Sequence, residues 1–575
     1  MSFFSPKISA LLITTLTTFT TISVDQLMLR QSAIASRRPL SPQVSESGRT
    51  ISFVFTPLIF TLQVESLEEF AKTGHVNRNL RGYLRLANVD EEQKELFRNA
   101  LITPVEVNPV LLSRILNTEE SERLLNYIGT VINIPGGSNG KFLLRGAIIN
   151  AALEPEGISL INILKNLAVD VQIDLEKVLR YSQQVQTVLN ASAIFETEVI
   201  RRAEIEANTS ANINYSQLPD IRQRGNIPFR NETINLYDNT RQREFYAEIY
   251  YPNQIRENTP IIVISHGFSS RPEDFHVRAE HLASYGYFVI MPQHNGSDIK
   301  RTEDFLAGLS RQLFVREEFI DRPLDITYTL DEIERLNQSR WQGKLDTNNV
   351  GIFGHSFGGY TALAVAGAKI QWERLAQRCS LDIGNLNTSL LLQCRALQLP
   401  QEDYDFRDER IKAVFAINPV NASIFGPEGL NQMETPVFMA AGSYDPATPF
   451  VFELAQTYPL LTIPDTYLQL QEGQAHIDFS QLDAGISDLI NTATNLTLPS
   501  PVLLDDYTNT MMLAFFEVYI RDNQSYRSYL QSGYANYLSE GEEFKTYLVG
   551  EESIPDLRRV YEDFMRTNAA IIFGQ

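Results

Sequence analysis

The chain carries two successive patterns of hydrophobic and polar positions. Up to about residue 207, apolar residues mostly recur with the spacing of one face of an α-helix, after a strand-like apolar run at residues 51–64. From Thr233 onward short apolar runs take over, and the run from Pro260 to Phe268 is continuous enough for a strand that is buried on both faces. The polar residues 208–226 separate the two patterns and predict a linker.

The first pattern predicts a small, mostly α-helical domain at residues 50–180. Residues 66–69 (Ser-Leu-Glu-Glu) have the form of a capping box, and Gly74 is placed to end the helix that follows. Further helices are predicted at residues 90–101, 110–116, 119–128, 141–153, 157–167 and 174–207. The last of these leads into the linker, so residues 181–226 are assigned to helix and linker. His75 follows a helix end and fits a capping or surface role, so nothing in this domain predicts catalysis.

The second pattern predicts an α/β domain at residues 227–575. Strands are predicted at residues 233–236, 245–251, 260–265, 288–291, 350–353, 413–417, 436–440 and 467–470. Helices are predicted at residues 275–285, 321–337 and 361–368, and later at 507–520 and 556–567. This alternation is typical of a largely parallel sheet whose strands are joined by helical crossovers. The connection at about residues 370–412 is longer than usual and predicts an insertion.

Composition and charge narrow the classes of partner. At 575 residues and 43% hydrophobic content, the chain has the size of two or three domains and the composition of a globular protein. Its net charge of −21 argues against nucleic acid or an anionic membrane surface as the main partner.

The first 35 residues have the order of a secretory signal peptide. Lys7 precedes an apolar, threonine-rich stretch at residues 8–24, and Ala33-Ile34-Ala35 offers a cleavage site. The apolar stretch is shorter and more polar than a membrane-spanning helix requires. We therefore expect a periplasmic or secreted protein; the alternative is a cytoplasmic protein with a disordered or lipid-contacting tail.

Cys379 and Cys394 are the two cysteines of the chain and lie in one local segment. An oxidising compartment would permit one disulfide between them, and two buried thiols are the alternative. No cluster of further metal-ligand residues accompanies them, and no glycine-rich phosphate loop is present. We therefore expect neither a metal nor a cofactor.

The strongest chemical signal is the segment Gly-His-Ser-Phe-Gly at residues 354–358. A short apolar run precedes it and small residues typical of a helix follow, so Ser356 is predicted to lie on a sharp strand-to-helix turn. This G-x-S-x-G pattern marks a nucleophilic serine, because the glycines permit the strained turn that exposes the hydroxyl. The alternative is a glycine-rich turn without chemistry.

A nucleophilic serine needs a base and a carboxylate that orients the base. With such a turn, the acid and then the histidine follow the serine along the chain. His476 is the only histidine after Ser356 and is the candidate base, with a surface histidine as the alternative. Asp445 comes directly after the strand predicted at residues 436–440, where an orienting acid belongs, and is the candidate acid.

Three other carboxylates compete with Asp445 for this role. Glu434 precedes the strand and so lies at its wrong end. Asp465 belongs to a turn, and Asp478 adjoins the base without the reach to orient it.

The developing oxyanion needs two backbone N–H donors. Phe357, at the start of the predicted helix, supplies one. The loop after the strand at residues 260–265 supplies the other, because Gly267 allows close approach and the N–H of Phe268 follows it. Phe268 is also a candidate substrate contact.

The histidines that precede the candidate base receive other assignments. His294 ends a strand at the same edge of the sheet and is a candidate substrate contact, with a loop-stabilising hydrogen bond as the alternative. His266 and His355 fit orienting or packing roles, and His276 and His281 are expected on a helix surface.

These segments resemble known α/β-hydrolases. Residues 265–268, 354–359 and 473–476 are similar to segments of hydrolases related to platelet-activating-factor acetylhydrolase and dienelactone hydrolase. The helical stretch from residue 64 to 170, with residues 319–325 and 390–394, resembles a cyanobacterial hydrolase family that has an N-terminal domain of unknown function. The resemblance covers about residues 50–480. It implies an α/β-hydrolase fold and the roles already assigned to Ser356, Asp445, His476, Phe268 and Phe357.

The sequence therefore predicts a serine hydrolase that cleaves a small carboxylic ester, lipid-like or short-acyl, through an acyl-enzyme. The insertion at about residues 370–412 would cap its site, and a membrane would be contacted only through the substrate or the N-terminus. An amidase or peptidase on the same fold is one alternative. A partner- or membrane-binding N-terminal domain that carries a hydrolase domain is the other. Acyl length and oligomeric state are left open.

Overall fold

A computed structural model describes residues 49–86, 89–105, 107–209, 213–380, 386–476 and 498–573. They form a mixed α/β protein, about half helical, with a five-stranded sheet and a nine-stranded, mostly parallel sheet. The chain divides into two compact units, one up to Gln186 and the other from Thr187. The predicted signal peptide and Asp478 lie outside the described residues.

The first unit contains a sheet in addition to the predicted helices. Its strands are β1 (Thr50–Phe55), β2 (Leu58–Gln63), β3 (Ile132–Ile134), β4 (Ser138–Asn139) and β5 (Val171–Asp174). They lie in the order β2-β1-β5-β3-β4, and β1 pairs in parallel with β5, with Ile51 opposite Val171. The strand-like run predicted at residues 51–64 contains β1 and β2, but β3 to β5 were not predicted, because the central pairing of β1 with β5 joins residues far apart in the chain.

The helices of this unit agree with the predicted ones to within three residues at each end, apart from the unpredicted α2. They are α1 (Val64–Thr73), α2 (Arg78–Leu86), α3 (Glu91–Ile102), α4 (Pro109–Leu116), α5 (Glu119–Val131), α6 (Lys141–Leu153), α7 (Leu160–Lys165) and α8 (Leu175–Thr209). The boundary between the two units falls within α8.

The start of α1 differs from the predicted capping box. The helix begins at Val64, directly after β2, and its N-cap residue Gln63 makes no side-chain capping hydrogen bond. Ser66 lies in the first turn and is buried. The backbone of Gln63 is still extended, as in β2, and the helix begins at the next residue, Val64, which is the first buried residue of its apolar face. Its end is as predicted, since Gly74 adopts the left-handed conformation with φ of 75°.

The second unit is built on the nine-stranded sheet. Its strands are β6 (Phe229–Asp238), β7 (Arg243–Pro252), β8 (Thr259–Ser265), β9 (Phe288–Pro292), β10 (Leu345–His355), β11 (Ile411–Ile417), β12 (Val437–Gly442), β13 (Thr466–Gln471) and β14 (Thr546–Val549). The order is β14-β13-β12-β11-β10-β8-β9-β7-β6, and the six strands from β13 to β9 run parallel. The predicted strands are all present; β14, an antiparallel edge strand, was not predicted.

Helices cover both faces of this sheet. They are α9 (His276–Ser284), α10 (Ile299–Ala307), α11 (Glu318–Trp341), α12 (Phe357–Val365), α13 (Trp372–Ser380), α14 (Leu390–Gln393), α15 (Gly426–Leu430), α16 (Phe450–Glu453), α17 (Pro501–Tyr519), α18 (Ser532–Leu538) and α19 (Ile554–Phe573). Every residue of β8 is buried. Its successive residues Ile261 and Ile262 point to opposite faces of the sheet and belong to the two separate hydrophobic cores there. Because the parallel strands all end at one edge, the loops after them meet there.

The long connection after α12 contains α13 and α14, and a disulfide joins Cys379 to Cys394 within it. Of the two alternatives for these cysteines, the structure therefore has the bridged one. Among the helices of the described residues, none combines the length and the apolar character needed to cross a membrane.

His276 and His281 were both predicted on a helix surface. His276 is exposed, but His281 is buried, so the prediction is wrong for His281. The reason is that α9 packs between the sheet and α17, so little of it faces solvent. Burial, with the nearby charge of Arg224, lowers the pKa of His281 to about 4. An unfolded histidine titrates near pH 6.5, so between these values the unfolded chain binds more protons and stability falls as the pH falls.

We predict that His281→Phe flattens this acid dependence. In urea unfolding between pH 6.5 and 5, the free energy of unfolding of the wild type should fall more steeply than that of the variant, by up to about 1.4 kcal/mol per pH unit. His276→Gln, on the same helix, is the control and should keep the wild-type slope. Equal slopes for His281→Phe and the wild type would contradict the assignment of a neutral buried histidine.

Candidate active site

Ser356 occupies the turn between β10 and α12. Its φ of 57° and ψ of −118° lie outside the regions that residues with side chains normally adopt, as expected of the predicted sharp turn. The flanking glycines are required by space: a Cβ on Gly354 would lie 2.1 Å from the carbonyl oxygen of Gly358. A Cβ on Gly358 would lie 2.0 Å from the carbonyl oxygen of Ser265. The turn is therefore packed tightly against the end of β8.

The structure brings Ser356, His476 and Asp445 into one hydrogen-bonded chain. Nε2 of His476 lies 2.8 Å from Oγ of Ser356, and Nδ1 lies 2.7 Å from Oδ2 of Asp445. With the proton on Nδ1, the imidazole donates to Asp445 and accepts from the serine hydroxyl. The three residues follow β10, β13 and β12 respectively, so the shared edge of the parallel strands collects them.

The carboxylate of Asp445 is buried and fully engaged. Its Oδ1 accepts the backbone N–H groups of Ala447 and Thr448 at 2.8 and 2.9 Å, and its Oδ2 accepts the Thr448 hydroxyl at 2.7 Å. Burial alone would raise the pKa of Asp445, but the charge of His476 and these hydrogen bonds outweigh it and hold the pKa below its ordinary value. Asp445 thus stays ionised and can fix the tautomer of His476.

Thr448 and Asn418 support this acid and were not predicted. Besides its bond to Asp445, the Thr448 hydroxyl lies 3.1 Å from the carbonyl oxygen of Asn418 and 3.2 Å from Nδ1 of His476. Asn418 has a φ of 47°, and its side-chain oxygen accepts the backbone N–H of Gly442 at 2.9 Å. The sequence carried one usable signal for this contact. An aspartate in a loop often accepts the backbone N–H groups two and three residues later in an Asx turn, and Ala447 and Thr448 occupy these positions after Asp445.

Two of the competing acids are engaged elsewhere. Glu434 is 85% exposed and pairs with Arg407. Asp465 accepts the hydroxyl of Tyr519 at 2.7 Å.

Both predicted oxyanion segments reach Ser356. Phe357 is the first residue of α12, so its N–H has no acceptor within the helix. A Cβ on Gly267 would lie 3.3 Å from Cβ of Ser356, which places the loop that contains Phe268 directly beside this serine. In the described part of the chain, no hydrogen-bond acceptor engages the N–H of Phe268.

His355 holds the backbone of His476. Its Nε2 lies 2.9 Å from the carbonyl oxygen of His476, and the two rings pack with centroids 5.0 Å apart. Burial, with the adjacent charge of His476, lowers the pKa of His355 to about 3, so its ring is neutral and Nε2–H donates. His355 therefore contacts His476 through a hydrogen bond and through ring packing, as either of the two roles predicted for it would require.

His294 does not line the site. Its side chain is completely buried, with Nε2 3.0 Å from Oγ of Ser265 and Nδ1 3.0 Å from Oδ2 of Asp325. The predicted substrate contact is therefore wrong for this arrangement, and the alternative of a stabilising hydrogen bond applies. Phe268 is half-buried, and its ring packs on Phe314 with centroids 5.7 Å apart.

No group of three or more His, Cys, Asp or Glu side chains in the described ranges is arranged as a set of metal ligands. The site places the Ser356 hydroxyl next to the imidazole of His476, whose other nitrogen bonds the carboxylate of Asp445. A hydroxyl in such an arrangement can form and break a covalent bond to an acyl group.

The chain is similar to one protein family over part of its length. Residues 47–174 match the family described as alpha/beta hydrolase of unknown function (DUF1400). The match falls in the first unit, whereas Ser356, Asp445 and His476 lie in the second. The comparison with curated proteins gives no match.

Proposed function

We propose that the protein is a serine hydrolase that cleaves carboxylic esters through an acyl-enzyme on an α/β-hydrolase fold. The observation that carries this proposal is the hydrogen-bonded chain from Ser356 through His476 to Asp445, on a strained turn with two N–H donors beside it. The match of residues 47–174 to a family named for hydrolases supports the reaction class. So does the resemblance to hydrolases related to platelet-activating-factor acetylhydrolase and dienelactone hydrolase.

In the proposed reaction, Oγ of Ser356 attacks the ester carbonyl carbon while Nε2 of His476 takes its proton. The carbonyl oxygen becomes an oxyanion and accepts the N–H groups of Phe268 and Phe357. When the tetrahedral species collapses, Nε2–H passes its proton to the leaving alcohol, and the acyl group stays on Ser356. Water then attacks the acyl-enzyme by the same route and releases the acid. Asp445 stabilises the imidazolium that forms in each half-reaction.

The long insertion is proposed to wall the site as a fixed cap. Glu453 accepts the hydroxyl of Ser389 and the side-chain amide of Gln393 from the insertion. The same carboxylate accepts the backbone N–H groups of Asn421 and Ala422 at 2.8 Å each, in the loop after β11. Glu453 thus ties the insertion to the edge of the sheet that holds Ser356. A walled site with aromatic residues near Phe268 favours an apolar or short acyl group.

The function is tested by turnover of the full chain on p-nitrophenyl acetate, butyrate and octanoate, beside p-nitroanilides with the same acyl groups. We expect ester hydrolysis with a preference for one chain length, and stoichiometric labelling of Ser356 by a fluorophosphonate. Faster turnover of the anilides would replace the esterase with an amidase. A folded protein that neither turns over any of these substrates nor reacts at Ser356 would overturn the proposal.

Asp445→Asn should lower kcat by about 10⁴-fold, because an amide at this position favours the wrong tautomer of His476. Asp465→Asn removes a carboxylate of the same type that lies outside the site and is the matched control. It should leave kcat within about twofold, as for surface changes with small effects. Equal effects of the two substitutions would contradict the assignment of the acid.

A further inference from the structure

The loop that carries Phe268 rests on a completely buried guanidinium group. Arg322 of α11 is 0% exposed, and its Nη1 donates to the carbonyl oxygen of His266 at 2.7 Å. Its Nη2 donates to the carbonyl oxygen of Gly267 at 3.3 Å. The ring of His266 adds a second donor to that carbonyl, with Nδ1 2.8 Å away. Two consecutive carbonyl groups of the loop therefore point at Arg322.

The direction of these carbonyls fixes the direction of the oxyanion donor. The carbonyl of Gly267 and the N–H of Phe268 belong to one planar trans peptide group, in which they point in opposite directions. Holding the oxygen against Arg322 turns the N–H of Phe268 away from Arg322. Gly267 lies against Ser356, so an N–H that points away from Arg322 is free to face the side of the loop where Ser356 lies.

The same guanidinium also contacts the segment that supplies the other donor. Its carbon atom lies 4.4 Å from the centre of the Phe357 ring, a cation–π distance. Arg322 thus contacts the ring of Phe357 and bonds the carbonyl end of the peptide group whose N–H belongs to Phe268.

Arg322 is itself held in place by a buried polar group. Its Nε donates to Oγ of Ser297 at 2.8 Å, and the Ser297 hydroxyl donates to Oε2 of Glu318 at 2.5 Å. Glu318 and Asp325, both 0% exposed, bind Arg243 at 2.7 and 2.8 Å on their other side. The charge of Arg322 is therefore compensated without engaging the donors that hold the loop.

We propose that Arg322 is a positioning residue for the oxyanion hole, which holds the Gly267–Phe268 peptide so that its N–H faces the reacting carbonyl. This inference rests on the proposed acyl-transfer function. A positive charge bonded to the carbonyl end also polarises the peptide group and strengthens its N–H as a donor. The arginine is needed because a lysine ammonium, a point charge without the planar fork, cannot serve both carbonyls and Ser297 together.

The test compares Arg322→Lys with Arg243→Lys, a second buried arginine that bonds Glu318 and Asp325 but neither loop carbonyl. For Arg322→Lys we expect kcat to fall by about 10- to 100-fold with KM nearly unchanged, part of the 10²–10³-fold cost of a lost oxyanion donor. Binding of a trifluoromethyl ketone, whose adduct with serine carries an oxyanion, should weaken by a similar factor. Arg243→Lys should change stability but alter kcat and inhibitor binding less than about threefold.

A milder pair keeps the test decisive if Arg322→Lys does not fold. Ser297→Ala removes the bond to Nε of Arg322. Thr329→Val removes an equally buried hydroxyl on α11, which within the described ranges bonds the carbonyl of Asp325 and no group of the site. We expect Ser297→Ala to lower kcat and weaken the ketone several-fold more than Thr329→Val does. Wild-type kcat and ketone affinity in folded Arg322→Lys or Ser297→Ala would overturn the inference alone. Absence of ester turnover in the wild type would instead overturn the proposed function, and this inference with it.

Discussion

Ser356→Ala is expected to abolish ester hydrolysis, with kcat lower by about 10⁶-fold. Among the described residues, this hydroxyl is the group that bonds Nε2 of His476, and Ser356 lies beside Gly267 in the loop that would supply an oxyanion donor. Alanine keeps the Cβ that the turn already accommodates, so the fold should persist, and turnover on p-nitrophenyl esters can be compared at equal stability. The residual rate should reflect the oxyanion donors and substrate binding alone.

His476→Ala provides the accompanying control. Serine and histidine act as one unit, so His476→Ala alone should cost about as much as Ser356→Ala, and the double variant should be no slower than either. Losses that multiply in the double variant would show that the two residues act in separate steps. That result would contradict the proposed proton transfer between Oγ and Nε2.

The central part of the site could be predicted from the sequence because local signals mark it. The glycine spacing around Ser356 follows from the space that the turn allows, and His476 was the only histidine left after the serine. Asp445 was marked by its place directly after a buried strand. The parallel sheet could also be predicted, since continuous apolar runs are what strands buried on both faces require.

What the sequence did not predict depends on contacts between distant segments. Arg322 lies 56 residues from the carbonyl that it binds, and no local pattern relates the two. The position of His294 at a strand end correctly placed it at the same edge of the sheet as Ser356. Its ring, however, bonds Asp325 of α11, and the side chain of His294 is fully buried. The strands β3 to β5 of the first unit were not predicted for the same reason, because β1 and β5 pair only in the folded chain.

Gly358→Ala should damage both stability and catalysis, unlike an ordinary helix glycine. A Cβ at this position would meet two backbone carbonyl oxygens, those of Ser265 at 2.0 Å and His266 at 2.8 Å. Backbone of a central strand cannot move aside as a flexible side chain could, so we expect a loss of about 3 kcal/mol in the free energy of unfolding. Because the displaced residues lead into the loop proposed to supply an oxyanion donor, kcat should also fall by about 100-fold, the cost of a shift of about 1 Å in a site.

Gly146 provides the matched control for this substitution. It lies within α6, and a Cβ there would meet no atom within 4 Å. Gly146→Ala should therefore stabilise the protein by up to about 1 kcal/mol through helix propensity and leave kcat unchanged. Urea unfolding and ester turnover of both variants measure the contrast. Equal stability and activity of Gly358→Ala and Gly146→Ala would contradict this prediction. The close approach of α12 to the loop after β8 would then not be needed to hold Ser356 beside the proposed oxyanion donors.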